Sequence, residues 1–126
     1  MHCLGLMSGT SADGVDAVLV HFDGPPQHPK WSLLSHHHQP YPLELQQQVV
    51  AAGQGAAMPA SSWLELAEAI TKVQADAVQA CDPEAKAELI GCHGQTVWHR
   101  PPAQGCLLYT SPSPRDATLS RMPSSA

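Results

Sequence analysis

The stretch Gly5-Leu6-Met7-Ser8-Gly9-Thr10-Ser11-Ala12-Asp13-Gly14-Val15-Asp16-Ala17 decides how the chain begins to fold. Cys3 to Met7 has the length and apolar character of a buried strand, and Val15 to Phe22, rich in Val and Leu, reads as a second. Between them, Ser8 to Gly14 is small and hydrogen-bonding, with Asp13-Gly14 as a turn signal. Two strands joined in this way pair as an antiparallel hairpin. The connecting residues also have the chemistry of an anion cradle. Gly9 and Gly14 let backbone N–H groups approach a phosphate, Thr10 and Ser11 add hydroxyls, and Asp13 adds a carboxylate suited to Mg²⁺. This is no Walker loop, because Gly-Lys-Ser/Thr is absent and a strand follows. Taken alone, the same residues also describe a plain hairpin turn.

Working outward, Asp23-Gly24-Pro25-Pro26 is a turn, and Lys30 to His38 reads as a third strand ended by Pro40 and Pro42. Pro42 also suits the first turn of a helix, which Leu43, Leu45, Val49, Val50 and Ala52 support. After a Gly/Ala/Pro loop from Gly53 to Ala60, Ser62-Trp63-Leu64-Glu65 has the form of a capping box. Leu66, Ala67, Ile70, Val73, Ala77, Val78 and Cys81 then recur at helical spacing, and Asp82-Pro83 marks the helix end. Ala87 to Cys92 reads as a fourth strand, with His93-Gly94-Gln95-Thr96 at its C-terminal end, where α/β sheets commonly bind ligands. The order β-β-β-α-α-β predicts an α/β fold: a mixed sheet with flanking helices.

Composition narrows the function. At 126 residues the chain fits one domain or part of a larger one, and an apolar share of 43 % argues against wholesale disorder. No apolar run approaches the ~20 residues of a bilayer span, and no signal-peptide pattern is present, so the expected location is cytoplasmic, with no membrane partner. Net charge is −5 and the 6 Lys and Arg are scattered, which argues against a nucleic-acid partner. Cys3, Cys81, Cys92 and Cys106 form no C-x-x-C pair and are expected as reduced thiols. The run His36-His37-His38 offers metal-binding chemistry, but neighbours on a strand point to opposite faces. A small non-catalytic binding or regulatory module is the alternative reading of such a chain.

The last residues have a different character. From Cys106 to Ala126 the chain is rich in Ser and Pro and lacks a hydrophobic period, which predicts a disordered tail. Cys106 to Asp116 resembles one reading frame of a common transposon sequencing adapter, with codons opening TGT-CTC-TTA-TAC-ACA-TCT. Ser120 to Ala126 resembles translation of that adapter's far end, with Ala117, Thr118 and Leu119 in place of the variable index. The natural sequence is therefore expected to end near Gly105, with 106–126 a non-native tail excluded from fold reasoning.

Two long motifs carry a family resemblance. Gly5 to Ala17 resembles the opening signature of the anhydro-N-acetylmuramic acid kinases, and Ile90-Gly91-Cys92-His93-Gly94-Gln95-Thr96-Val97-Trp98-His99-Arg100-Pro101 resembles a second signature of that family. Ala12 stands where a larger residue is usual, Cys92 where Ser is usual, and Trp98 where the position is often polar.

The resemblance implies the sugar kinase–Hsp70–actin superfamily, with 1–105 as the N-terminal part of an ATP-binding domain of RNase H-like topology, truncated. It implies ATP with Mg²⁺, and an amino-sugar substrate, 1,6-anhydro-N-acetylmuramic acid, converted with water to N-acetylmuramic acid 6-phosphate in cell-wall recycling. Gly9, Thr10, Ser11, Ala12, Asp13, Gly14, Val15 and Asp16 are then the expected ATP/phosphate-binding residues, with Asp13 in the metal shell. His93, Gly94, Gln95 and Thr96 are the expected substrate contacts, and Arg100 is a candidate anion contact. The family's catalytic aspartate lies far downstream and has no counterpart here, so the fragment alone is expected to be inactive. A homodimer is implied for the full-length parent.

Overall fold

The fold was derived from a computed structural model, which describes residues 1–100 and 107–110; of His99, Arg100 and 107–110 only the backbone is described. The elements run β1 (His2–Ser8), β2 (Gly14–Asp23), β3 (Lys30–Pro40), α1 (Leu43–Gly53), α2 (Ala60–Cys81), β4 (Leu89–Arg100) and β5 (Leu107–Thr110). They form one five-stranded sheet in the order β3-β2-β1-β4-β5. β1 and β4 are parallel and the other pairings are antiparallel, so the sheet is mixed and the fold is α/β, as predicted. The expected hairpin is present, with Leu6 opposite Ala17 and Met7 opposite Asp16.

The period-2 rule sorts the strands into two faces. Leu4, Leu6 and Ser8 of β1 and Val15, Ala17 and Leu19 of β2 point inward and are buried. Against them lie the helical stripes Leu45-Val49-Ala52 of α1 and Leu66-Ile70-Val73-Ala77-Cys81 of α2. Their spacing of three and four residues is what places them on one side of each helix. Burying a side chain the size of Leu4 or Ile70, each 1 % exposed, contributes about 1.5–3 kcal/mol. On the outer face Met7, Phe22, Trp31, Leu33 and Leu89 remain exposed.

Strand ends differ from the sequence reading by a residue or two, as where β3 continues to Pro40 and β4 starts at Leu89, and three differences are larger. α2 starts at Ala60, and no side-chain hydrogen bond caps it. Pro59, with φ −66° and ψ 159°, starts the helix early, and the Ser62 N–H already donates to Pro59 O at 3.0 Å, so the Ser62–Glu65 capping box does not form. β4 does not stop at Cys92 but runs through 93–96 to Arg100. Leu107–Thr110, expected within a disordered tail, pairs antiparallel with β4, because a β-prone Leu-Leu-Tyr-Thr meets an otherwise unpaired strand edge. Cys106 and 111–126 lie outside the described residues.

The extension of β4 rests on a bulge. From Leu6 to Ser8 is two steps on β1, while their partners Cys92 and Gln95 are three steps apart on β4. The extra residue is accommodated at Gly94, whose φ of +77° is natural for glycine. A single inserted residue reverses which side chains face the core. Before the bulge the partly buried Ile90 packs against the core; after it Gln95 and Val97 turn inward.

α2 is joined to β4 by a tight loop organised by Asp82. Its Oδ1 accepts from the Lys86 N–H at 2.9 Å and its Oδ2 from the Ala87 N–H at 2.8 Å. These bonds, the Ala87 one foremost, hold the Asp82 carboxyl below its ordinary value of 3.8. A carboxylate with a lowered folded-state pKa gives stability that is present above the unfolded value and lost as pH falls through the folded one. Asp82→Ala should therefore lower the melting temperature at neutral pH. Below the ordinary carboxylate range the difference from wild type should shrink, as read by thermal melts across an acid pH series.

Candidate active site

Three segments meet at the end of the sheet where β1 stops: the β1–β2 loop, the β3–α1 junction and the part of β4 after its bulge. In the loop, Gly9, Thr10, Ser11 and Asp13 are exposed, while Ala12, Gly14 and Val15 are buried. Ala12 donates its N–H to Gly9 O at 3.1 Å, closing the turn, and adopts a φ of 54°. The Ser11 hydroxyl donates to Asp13 Oδ1 at 3.1 Å. Thr10, Ser11 and Asp13 thus place two hydroxyls and a carboxylate at the exposed surface of the loop.

Other expected loop residues do different things. Val15 is fully enclosed in the core, where its side chain packs. Asp16 belongs to β2 on the outer face, with Oδ1 2.9 Å from His38 Nδ1 and 3.7 Å from His36 Nε2. Its side chain is committed to a cross-strand pairing, not to the loop. His37 falls on the opposite side of β3 and bonds Gln39 Oε1 at 3.0 Å, so the His run divides between two faces. Gly14 is required for a reason other than an anion: a Cβ there would sit 2.4 Å from Gln39 O and 2.9 Å from the His38 ring.

The second signature also divides. His93 is exposed, its Nδ1 3.3 Å from Gly94 O, and Gly94 makes the bulge. Thr96 is half-buried and lines a cavity of about 320 Å³ together with Thr10, Val49, Val50, Gly53, Gln54, Val97 and Trp98. Thr10 and Thr96, one from each signature, are thus both among the residues lining this space.

Gln95, expected to contact substrate, is 0 % exposed and makes an internal contact instead. Its Nε2 donates to Gly9 O at 3.1 Å and to Thr96 O at 2.9 Å, and its Oε1 accepts from the Tyr41 hydroxyl at 3.0 Å. The parity reversal at the bulge turns it inward, where its amide has to find protein partners.

Tyr41 is the residue the sequence reading missed. It is 6 % exposed, and its backbone N–H donates to Asp13 O at 3.0 Å. Its hydroxyl also lies 3.3 Å from Ser8 Oγ. Burial, the largest influence, pushes the Tyr41 phenol above its ordinary value of 10.0 despite the Ser8 bond. The available signal was a Tyr between Pro40 and Pro42, since a buried tyrosine requires a partner for its hydroxyl.

The sequence profile of the anhydro-N-acetylmuramic acid kinases matches residues 1–110. The chain belongs to that family. It is 84 % identical over 103 residues to the anhydro-N-acetylmuramic acid kinase of Synechococcus sp. (strain CC9605), covering 82 % of this chain and 27 % of the relative. The kinase of Synechococcus sp. (strain CC9902) is 65 % identical over 102 residues, covering 81 % of this chain and 27 % of the relative. That of Prochlorococcus marinus (strain MIT 9303) is 64 % identical over 102 residues with the same coverage. The chain thus spans about a quarter of the length of these relatives. The three-stranded antiparallel start, with β4 beside β1, suits part of the actin-like ATPase fold of such kinases.

Because β3 approaches β2 so closely at Gly14, Gly14→Ala should force the backbone apart and destabilise the protein by about 1–3 kcal/mol. Urea denaturation would measure this, and a change below about 0.5 kcal/mol would mean the strands separate freely there.

Proposed function

We propose that this chain supplies the phosphate side and part of the sugar side of an ATP-dependent kinase acting on 1,6-anhydro-N-acetylmuramic acid. The observation that carries this reading is the shared cavity, in which Thr10 of the first signature and Thr96 of the second are co-lining residues. The product is N-acetylmuramic acid 6-phosphate, formed with addition of water. Thr10 and Ser11 donate hydrogen bonds to phosphate oxygens, and Thr96 binds a sugar hydroxyl. Asp13 would hold part of the shell of a Mg²⁺ ion, which would supply positive charge to neutralise the transferring phosphoryl group.

The donors present fit such an ion only as part of a larger shell. Asp13 is an exposed carboxylate beside the loop hydroxyls, and no cluster of three or more His, Cys, Asp or Glu side chains among the described residues could hold a metal. That suits Mg²⁺, which is commonly held by one or two carboxylates together with nucleotide phosphates. No aspartate here corresponds to the family's downstream base, so the isolated 126-residue chain is inactive in this reading.

A chimera tests the assignment. Residues 1–105 of this chain would replace the corresponding segment of the Synechococcus sp. (strain CC9605) kinase. Sugar-dependent ATP consumption within about tenfold of the parent relative is expected, a barrier change of about 1.4 kcal/mol or less. A folded but inactive chimera would refute the reading, and turnover by the isolated chain would refute its inactivity.

The same proposal treats 106–126 as adapter-derived. Long-read sequencing of the source DNA should continue in frame past the codon for Gly105 into further kinase sequence. DNA that encodes Cys106 to Ala126 and then a stop would overturn this.

A further inference from the structure

The bonds of Gln95 have a direction that chemistry fixes. Gly9 O and Thr96 O are carbonyl oxygens and can only accept, so the NH₂ end of the carboxamide must face them. The remaining end, Oε1, can only accept, so the Tyr41 hydroxyl must donate to it. With its proton committed, the Tyr41 oxygen is the acceptor for the Ser8 hydroxyl at 3.3 Å. The chain of donors therefore runs Ser8 to Tyr41 to Gln95 to Gly9, from β1 through the β3–α1 junction and β4 back to the β1–β2 loop.

The two ends of that loop are held by one residue. Tyr41 binds Asp13 O directly through its backbone N–H and reaches Gly9 O through Gln95. Pro40 and Pro42, each with a restricted φ, limit how far Tyr41 can move. The Gln95 amide also fixes Thr96 O, so the backbone beside each cavity-lining threonine is attached to the same nitrogen.

We propose that Tyr41 and Gln95 are positioning residues that set the distance between the phosphate loop and the sugar-side strand. This rests on the reading of Gly9–Asp13 as the phosphate cradle. Neither side chain touches ligand; they act by fixing the carbonyl of Gly9 beside Thr10 and the carbonyl of Thr96.

Tyr41→Phe keeps the ring packing and removes the hydroxyl, leaving Gln95 Oε1 without this donor in a site closed to water. The test is amide hydrogen exchange on the full 126-residue chain. The Ala12 N–H, which shares the Gly9 O acceptor with Gln95, should exchange about tenfold faster in Tyr41→Phe, while the Leu19 N–H in the middle of β2 keeps its wild-type rate. An unchanged Ala12 rate would overturn the proposal. So would equal acceleration at Ala12 and Leu19, since that is what a purely structural role gives. Ser8→Ala, which removes only the first donor, should show the same selective pattern at smaller amplitude. It decides the matter if Tyr41→Phe does not fold.

MgATP affinity measured on the same proteins separates this proposal from the functional reading. Weaker binding by Tyr41→Phe supports both. No binding by wild type counts against the phosphate cradle, while the exchange ratio still decides whether Tyr41 holds the loop.

Discussion

A carboxamide taken wholly out of water has to be hydrogen-bonded, and the Gln95 amide is the constraint to which this end of the sheet is fitted. Leaving such a group without partners costs about 1–3 kcal/mol, a large fraction of what a small domain has in reserve. The partners come from segments far apart in sequence: Gly9, Tyr41 and the adjoining Thr96. The bulge at Gly94 is a precondition, because without the inserted residue the side chain at 95 would point to the other face.

The two ends of the sheet obey different rules. Near Asp82, a short loop folds around one carboxylate whose partners, Lys86 and Ala87, are four and five residues away. That arrangement is local and needs little from the remainder of the fold. At the loop end, the bond from Gln95 to Gly9 spans 86 residues and that from Tyr41 to Gln95 spans 54. Such contacts form only once the sheet order is in place, since loop closure precedes the gain from the contact. The site geometry is therefore a product of the whole sheet.

This difference explains what could be read in the sequence. The strands β1 to β3 and both helical stripes were legible because their signals are local: short apolar runs at Cys3–Met7 and Val15–Phe22, and three-four spacing from Leu66 to Cys81. The family signatures were legible as contiguous strings. The true extent of β4 was not, because polar His93-Gly94-Gln95-Thr96 imitates a loop unless a bulge is allowed for. Tyr41 and the inward turn of Gln95 were hidden for a stronger reason: each takes its meaning from a partner in another element. Gly14 was read as an anion contact, and its close approach to Gln39 O depends on the β2–β3 register, which no local pattern reveals.

Ala12 shows how far the surroundings dictate the loop. It is the loop residue with a left-handed backbone, φ 54°, although Gly9 and Gly14 stand on either side. A left-handed conformation is unfavourable for a residue with a Cβ by about 1–2 kcal/mol. Burying a methyl group returns about 0.8 kcal/mol, which leaves local preference close to balance or slightly against the observed turn. Besides the loop's own Ala12 N–H to Gly9 O bond, the conformation is held from outside by the Gln95 amide on Gly9 O and the Tyr41 N–H on Asp13 O. A loop shaped by its own glycines would keep its form wherever it was grafted. This one is shaped by strand β4 and the β3–α1 junction, so the Gly9–Asp13 loop keeps this form only where those two segments have also been built.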